Sequence, residues 1–105
     1  MEYKVVLSDK AKADIARIYG YIRNNLKSVI NADTVLERLN SSMDNLRFMA
    51  DSYYFFPNEP WNSLGVRYYT IGNYSVMYVI EKDTATVIHV AYGRQDLNNI
   101  MADYK

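Results

Sequence analysis

The chain has 105 residues, enough for one domain with a real core and too few for two. Half of the residues are hydrophobic, 23% are charged, and twelve basic residues cancel twelve acidic ones. That balance favours a folded domain over disorder and speaks against a chain that grips nucleic acid by neutralising phosphates. Cysteine is absent, which removes disulfides, thiolate nucleophiles and zinc–thiolate sites. The charge is also evenly spread: residues 1–51 hold eight basic and seven acidic side chains, the remainder four and five. Residues Met1 to Leu7 lack the apolar run of a signal peptide, and no stretch reaches membrane length. A cytoplasmic protein without membrane contact is the expectation.

Lys4-Val5-Val6-Leu7 reads as a short first strand. Ser8 is placed as an N-cap, and Asp9 suits the positive end of a helix dipole. Ala11, Ile15, Ile18, Ile22 and Leu26 then recur at helical spacing, and Asn24, Asn25 and Ser28 weaken the end. A second helix is expected from about Asn31 to Ala50, on the stripe Ala32, Leu36, Leu39, Met43, Leu46 and Ala50. Two such stripes joined by a short polar break predict an antiparallel helical hairpin.

Residues 51–64 contain Pro57 and Pro60, which exclude a continuing helix or a central strand. Tyr53, Phe55, Phe56 and Trp61 make this loop unusually aromatic, as expected if they pin it to the sheet. A three-stranded meander follows: Gly65 to Ile71, the hairpin signal Gly72-Asn73, Tyr74 to Ile80, the polar break 81–84, then Ala85 to Tyr92. Gln95 to Met101 could form a short C-terminal helix. In the third strand Val76, Tyr78 and Ile80 oppose Met77 and Val79. In the fourth, Val87 and Ala91 oppose Ile88, Val90 and Tyr92, with His89 on the side of Val87 and Ala91. Both sheet faces are therefore apolar, and the one away from the helices needs a cover, from the last helix or from a partner chain.

Glu59-Pro60-Trp61, the run from Arg67 to Tyr78, and His89 through Tyr92-Gly93-Arg94-Gln95-Asp96, in this order and spacing, resemble the RelE/ParE family of toxins from type II toxin–antitoxin modules. The likeness covers nearly the whole chain. It implies an α+β fold of order β-α-α-β-β-β, with a helical hairpin on one face of a twisted, mostly antiparallel sheet and the first strand beside the last. It also implies growth inhibition, a role in plasmid stabilisation, and a cognate antitoxin that wraps the toxin in a hetero-oligomer. RelE-like members are ribosome-dependent mRNA endonucleases; ParE-like members inhibit DNA gyrase and need no hydrolytic residues.

For a nuclease the resemblance points to Arg67 on the second strand, Arg94 after the fourth, and His89 and Tyr92 as further catalytic candidates. RNA cleavage by 2′-hydroxyl attack needs a base and cations for the developing charge. Where RelE-like nucleases carry an arginine early in the third strand this chain has Ser75, and the tail position of a catalytic tyrosine falls near Met101. These departures and the zero net charge put the ParE-like reading ahead. A non-toxic interaction module of the same fold is the third alternative.

Each candidate also has a structural reading. His89, the sole histidine, fits a buried strand position as readily as acid–base work, and it cannot form a two-histidine metal site. Arg67 and Arg94 could tie strand ends to carboxylates such as Glu81 or Asp96. Tyr92 could be core, and Asp96 a helix cap. Trp61, Tyr69, Met77 and Arg94 are the candidate partner-binding residues, since eleven tyrosines without interleaved cations suit a protein interface better than a nucleic-acid platform. No cofactor or metal is expected.

Overall fold

Ser8 ends the first strand and starts the first helix in one residue. Its hydroxyl accepts the Ala11 N–H at 3.1 Å, the N-cap bond expected of it. The computed structural model describes residues 2–24 and 29–92, and within them the elements run β1 (Lys4–Leu7), α1 (Asp9–Asn24), α2 (Val29–Asp44), α3 (Leu46–Met49), a 3₁₀ turn (Ala50–Ser52), β2 (Val66–Ile71), β3 (Tyr74–Glu81) and β4 (Thr84–Tyr92). Leu26, the expected C-terminal helix, Arg94 and Asp96 lie outside the described residues.

The second helix is shorter than the apolar stripe implied. It breaks at Asn45, although Asn45 N–H still bonds the Ser41 carbonyl and Met49 N–H bonds the Asn45 carbonyl, both at 3.1 Å. The stripe survives the break: Ala32, Leu39, Met43, Leu46 and Ala50 are all buried. Asn45 keeps helical dihedrals, φ −63° and ψ −17°, and makes no side-chain cap bond, so the interruption is slight and the apolar face stays seated.

The sheet order is β1-β4-β3-β2, with β1 parallel to β4 and the other pairs antiparallel. The first strand thus lies beside the last, and both helices pack on one face, the α+β arrangement that the resemblance implied. The β2–β3 turn has Ile71 paired with Tyr74, and of its two central residues only Gly72 takes a positive φ, 57°. A Cβ there would stand 3.7 Å from the Arg38 guanidinium, so the Arg38 side chain of α2 reaches over to this turn.

Side chains alternate between the faces with the strand period. Tyr69, Val76, Tyr78, Ala85, Val87 and Val90 join Ala11, Ile18, Ile22, Leu39 and Leu46 in a helix-side core. Val66, Met77, Ile88 and Ala91 pack with Phe56 and Trp61 in a second core on the opposite face. The expectation of an uncovered sheet face is therefore corrected: the 53–64 loop turns two aromatic rings onto it. The Phe56 and Trp61 rings meet edge-on with centroids 5.7 Å apart. Each such burial removes apolar surface from water at roughly 25 cal/mol per Å², so the chain covers this face itself rather than leaving it for a partner.

A second correction concerns β4. Met77 pairs with His89 but Tyr78 pairs with Val87, so Ile88 is an extra residue in the ladder. The bulge shifts the parity of everything after it. Val90 consequently joins the helix-side core and Ala91 the loop-side core, whereas simple alternation put Val90 with Ile88 and Ala91 with Val87.

Candidate functional site

A groove of about 670 Å³ lies between the helical hairpin, the β2–β3 turn and the end of β4. α1 supplies Arg17, Ile18, Tyr21 and Ile22, α2 supplies Thr34, Val35 and Arg38, and the strands supply Gly72, Asn73, Tyr74 and Tyr92. The helices present these side chains because they lie one turn apart along each hairpin arm, Arg17 and Tyr21 on α1, Thr34 and Arg38 on α2. No carboxylate is among the described lining residues, while two guanidiniums are. Tyr21 and Tyr92 stay half-exposed there, at 51% and 47%. Tyr92 packs on Tyr74 with ring centroids 5.2 Å apart. Burial and the neighbouring Tyr92 push the Tyr74 phenol up, and the Arg38 cation opposes that shift. An apolar floor with a cationic, tyrosine-rich rim suits an amphipathic, acidic polypeptide segment.

The sequence-derived candidates do not gather in this groove. Arg67 does not line it: its guanidinium donates to the Tyr53 carbonyl at 2.7 Å and the Asp51 carbonyl at 3.3 Å, and lies 4.0 Å over the Phe55 ring. It ties the loop to β2. Arg67 pairs with Tyr78 while Tyr92 pairs with Tyr74, so four β3 positions separate them, roughly 13 Å along the strand. Of the catalytic candidates among the described residues, only Tyr92 lines the groove. Of the partner-binding candidates, Trp61, Tyr69 and Met77 are buried at 6%, 7% and 0% exposure. Their surfaces are spent on this chain's own two cores, and so they present nothing to a partner in this conformation. Tyr69 stacks on Tyr53 and its hydroxyl shares a hydrogen bond with Ser42 at 2.9 Å; burial pushes its phenol up to about 12.

His89 is buried beside a residue that the helical stripe concealed. Asp14, itself buried, accepts the Val90 N–H at 3.1 Å, Lys10 Nζ at 3.0 Å and an Arg17 nitrogen at 3.2 Å. His89 Nδ1 stands 3.4 Å from Asp14 Oδ2. Burial alone would raise the Asp14 carboxyl, but His89, the Val90 amide, Lys10 and Arg17 outweigh it and hold the group well below the usual carboxylate range. Asp14 occupies the apolar stripe, three residues after Ala11 and four before Ile18, with Lys10 and Arg17 one turn to either side. A carboxylate at a core position flanked by two cations was the available signal. Arg17, Tyr21 and Arg38 carried no comparable signal, because exposed helical positions hold charged and tyrosine side chains in most proteins.

Among the described residues no group of three or more His, Cys, Asp or Glu could hold a metal ion, and no helix is long and apolar enough to cross a membrane. The family described as ParE toxin of type II toxin–antitoxin system, parDE, matches residues 5–97. Among solved structures, the chain is similar to one of the chromosomal ParDE toxin–antitoxin system from P. aeruginosa, with a TM-score of 0.74, 19% identity, and 89% of this chain and 98% of that chain covered. It is also similar to one of the toxin–antitoxin complex RelBE2 from Mycobacterium tuberculosis, with a TM-score of 0.66, 14% identity, and 88% and 99% covered. At these identities the two likenesses show a shared fold. No curated protein sequence matches the chain.

Proposed function

The chain belongs to the ParE toxin family of type II toxin–antitoxin systems, and from that premise we propose that it inhibits DNA gyrase and is neutralised by an antitoxin seated in the groove. The observation that carries the choice of target is the dispersal of Arg67, His89 and Tyr92, the nuclease candidates among the described residues. Cleavage of RNA needs a base and cations converging on one phosphate. Here Arg67 is committed to two backbone carbonyls, His89 is buried against Asp14, and Tyr92 pairs four β3 positions away from Arg67. A toxin that acts by binding gyrase needs no such convergence. The groove supports the antitoxin half of the reading, since two arginines and no described carboxylate face an apolar floor.

The test is expression of the chain without its partner in cells that contain gyrase. Growth arrest with accumulated gyrase–DNA breaks and loss of supercoiling activity in vitro is the expected result. Cleaved transcripts with normal supercoiling would instead establish ribosome-dependent mRNA cleavage, and harmless expression of folded protein would leave an interaction module. Arg38→Glu should weaken capture of the antitoxin co-purified from the native operon by roughly tenfold, the loss expected when an attractive charge at an interface becomes repulsive.

A further inference from the structure

β4 outruns its neighbour. β1 pairs with it only from Thr84 to Val87, and Ser8 N–H takes the Val87 carbonyl at 2.9 Å where β1 ends. Beyond that point the β1-side edge of β4 has no strand partner among the described residues, yet Val90 is buried. A buried amide without an acceptor is costly, so something must take its place. Two side chains do, one at the β1–α1 junction and one inside α1: the Ser8 hydroxyl donates to the Ile88 carbonyl at 3.4 Å, and Asp14 Oδ2 accepts the Val90 N–H. The bulge residue Ile88 carries the first of those contacts and decides the side on which Val90, Ala91 and Tyr92 emerge. The other Asp14 oxygen holds Arg17, which lines the groove, as Tyr92 does.

We propose that Asp14 is a positioning residue for the groove: its carboxylate replaces the missing strand beside β4, fixes the register after the bulge so that Tyr92 meets Tyr74, and anchors Arg17 on the facing wall. Asp14 touches no partner itself. It acts through two groove residues on different elements, one by a backbone acceptor and one by an ion pair. For its effect on binding the proposal rests on the groove reading above; for its effect on Tyr92 it does not.

The experiment separates these. Asp14→Ala, Asp14→Asn and a control that loosens the loop-side core, Val66→Ala, are compared with the unchanged chain by NMR. Asp14→Ala should raise exchange of the Val90 amide by roughly tenfold or more, as expected for a missing buried hydrogen bond, and should abolish the packing of the Tyr74 and Tyr92 rings. Asp14→Asn keeps an oxygen for Val90, so it should retain both while releasing Arg17. Val66→Ala should keep the rings together despite its lower stability. An intact Tyr74–Tyr92 pair in folded Asp14→Ala would overturn the proposal. Should Asp14→Ala not fold, Asp14→Asn decides: separated rings with Val90 still protected overturn it equally. Affinity for the antitoxin co-purified from the native operon supplies the second arm, with a loss of about tenfold expected for Asp14→Ala. Unchanged affinity in both Asp14→Ala and Arg38→Glu, with the two rings parted in Asp14→Ala alone, would sink the groove reading and leave the positioning role standing.

Discussion

The two faces of the sheet are sealed by different means. On one face α1 and α2 lay down a repeating stripe, and residues from Tyr3 to Val90 enter a single core. On the other, an irregular loop anchors Phe56 and Trp61 over Val66, Met77, Ile88 and Ala91. The helix-side lid distributes its hold over many side chains and two regular elements. The loop-side lid rests on two rings, on Arg67, whose guanidinium gathers the Tyr53 and Asp51 carbonyls, and on a few backbone bonds such as Phe56 N–H to the Val66 carbonyl at 2.7 Å. A lid of the second kind should fail by single substitutions; one of the first kind should yield gradually.

The largest effect is therefore expected at Trp61. Trp61→Ala removes the centre of the loop-side core and should cost about 3–5 kcal/mol, measured by urea unfolding. Amide exchange should rise in β2 and its loop before it rises in the helices. Equal loss of protection on both faces would end the distinction between the two lids.

Asp14→Ala comes next, at about 2–3 kcal/mol, because it orphans the buried Val90 amide and frees two cations. The same carboxylate sets the acid limit of stability. Its folded pKa lies far below the ordinary 3.8. The unfolded chain therefore takes up a proton first, and the contribution is complete above roughly pH 5 and drains away as pH falls through 3.8 toward the folded value. Asp14→Asn should flatten that acid limb in a pH series of unfolding midpoints; an unchanged limb would assign the acid sensitivity elsewhere.

Tyr78→Phe sharpens the comparison on the helix side. The Tyr78 hydroxyl donates to the Ala50 carbonyl at 2.5 Å inside the core, and its loss should cost about 1 kcal/mol. Ser8→Ala is expected to be the mildest, near ~1 kcal/mol or below, since only the Ala11 cap bond and a long contact to Ile88 disappear. Thermal midpoints resolve both.

What could be read before the fold was known follows the same division. The helical stripes, the cap at Ser8 and the Gly72 turn depend on local periodicity and φ preference; the cap and the turn stand where the residues put them, and the second stripe stays buried although its helix breaks at Asn45. The Ile88 bulge was hidden, because inserting one residue into an apolar run leaves no mark in hydrophobicity while reversing every later side chain. Trp61, Tyr69 and Met77 looked like contact residues because large apolar groups suit interfaces and cores alike; burial separates the two, and burial is not local. The groove was illegible for a related reason. Its walls come from α1, α2, the β2–β3 turn and β4, which only the closed fold assembles.

The pairing of β1 with β4 has a temporal consequence. Ser8 meets Ile88 across 80 positions of sequence, and ordering so long a loop is slow relative to local contacts. During synthesis the first strand and the edge of α1 must wait, unsatisfied, until the last strand has left the ribosome. The groove between α1 and the end of β4 can therefore exist only once β4 has been made.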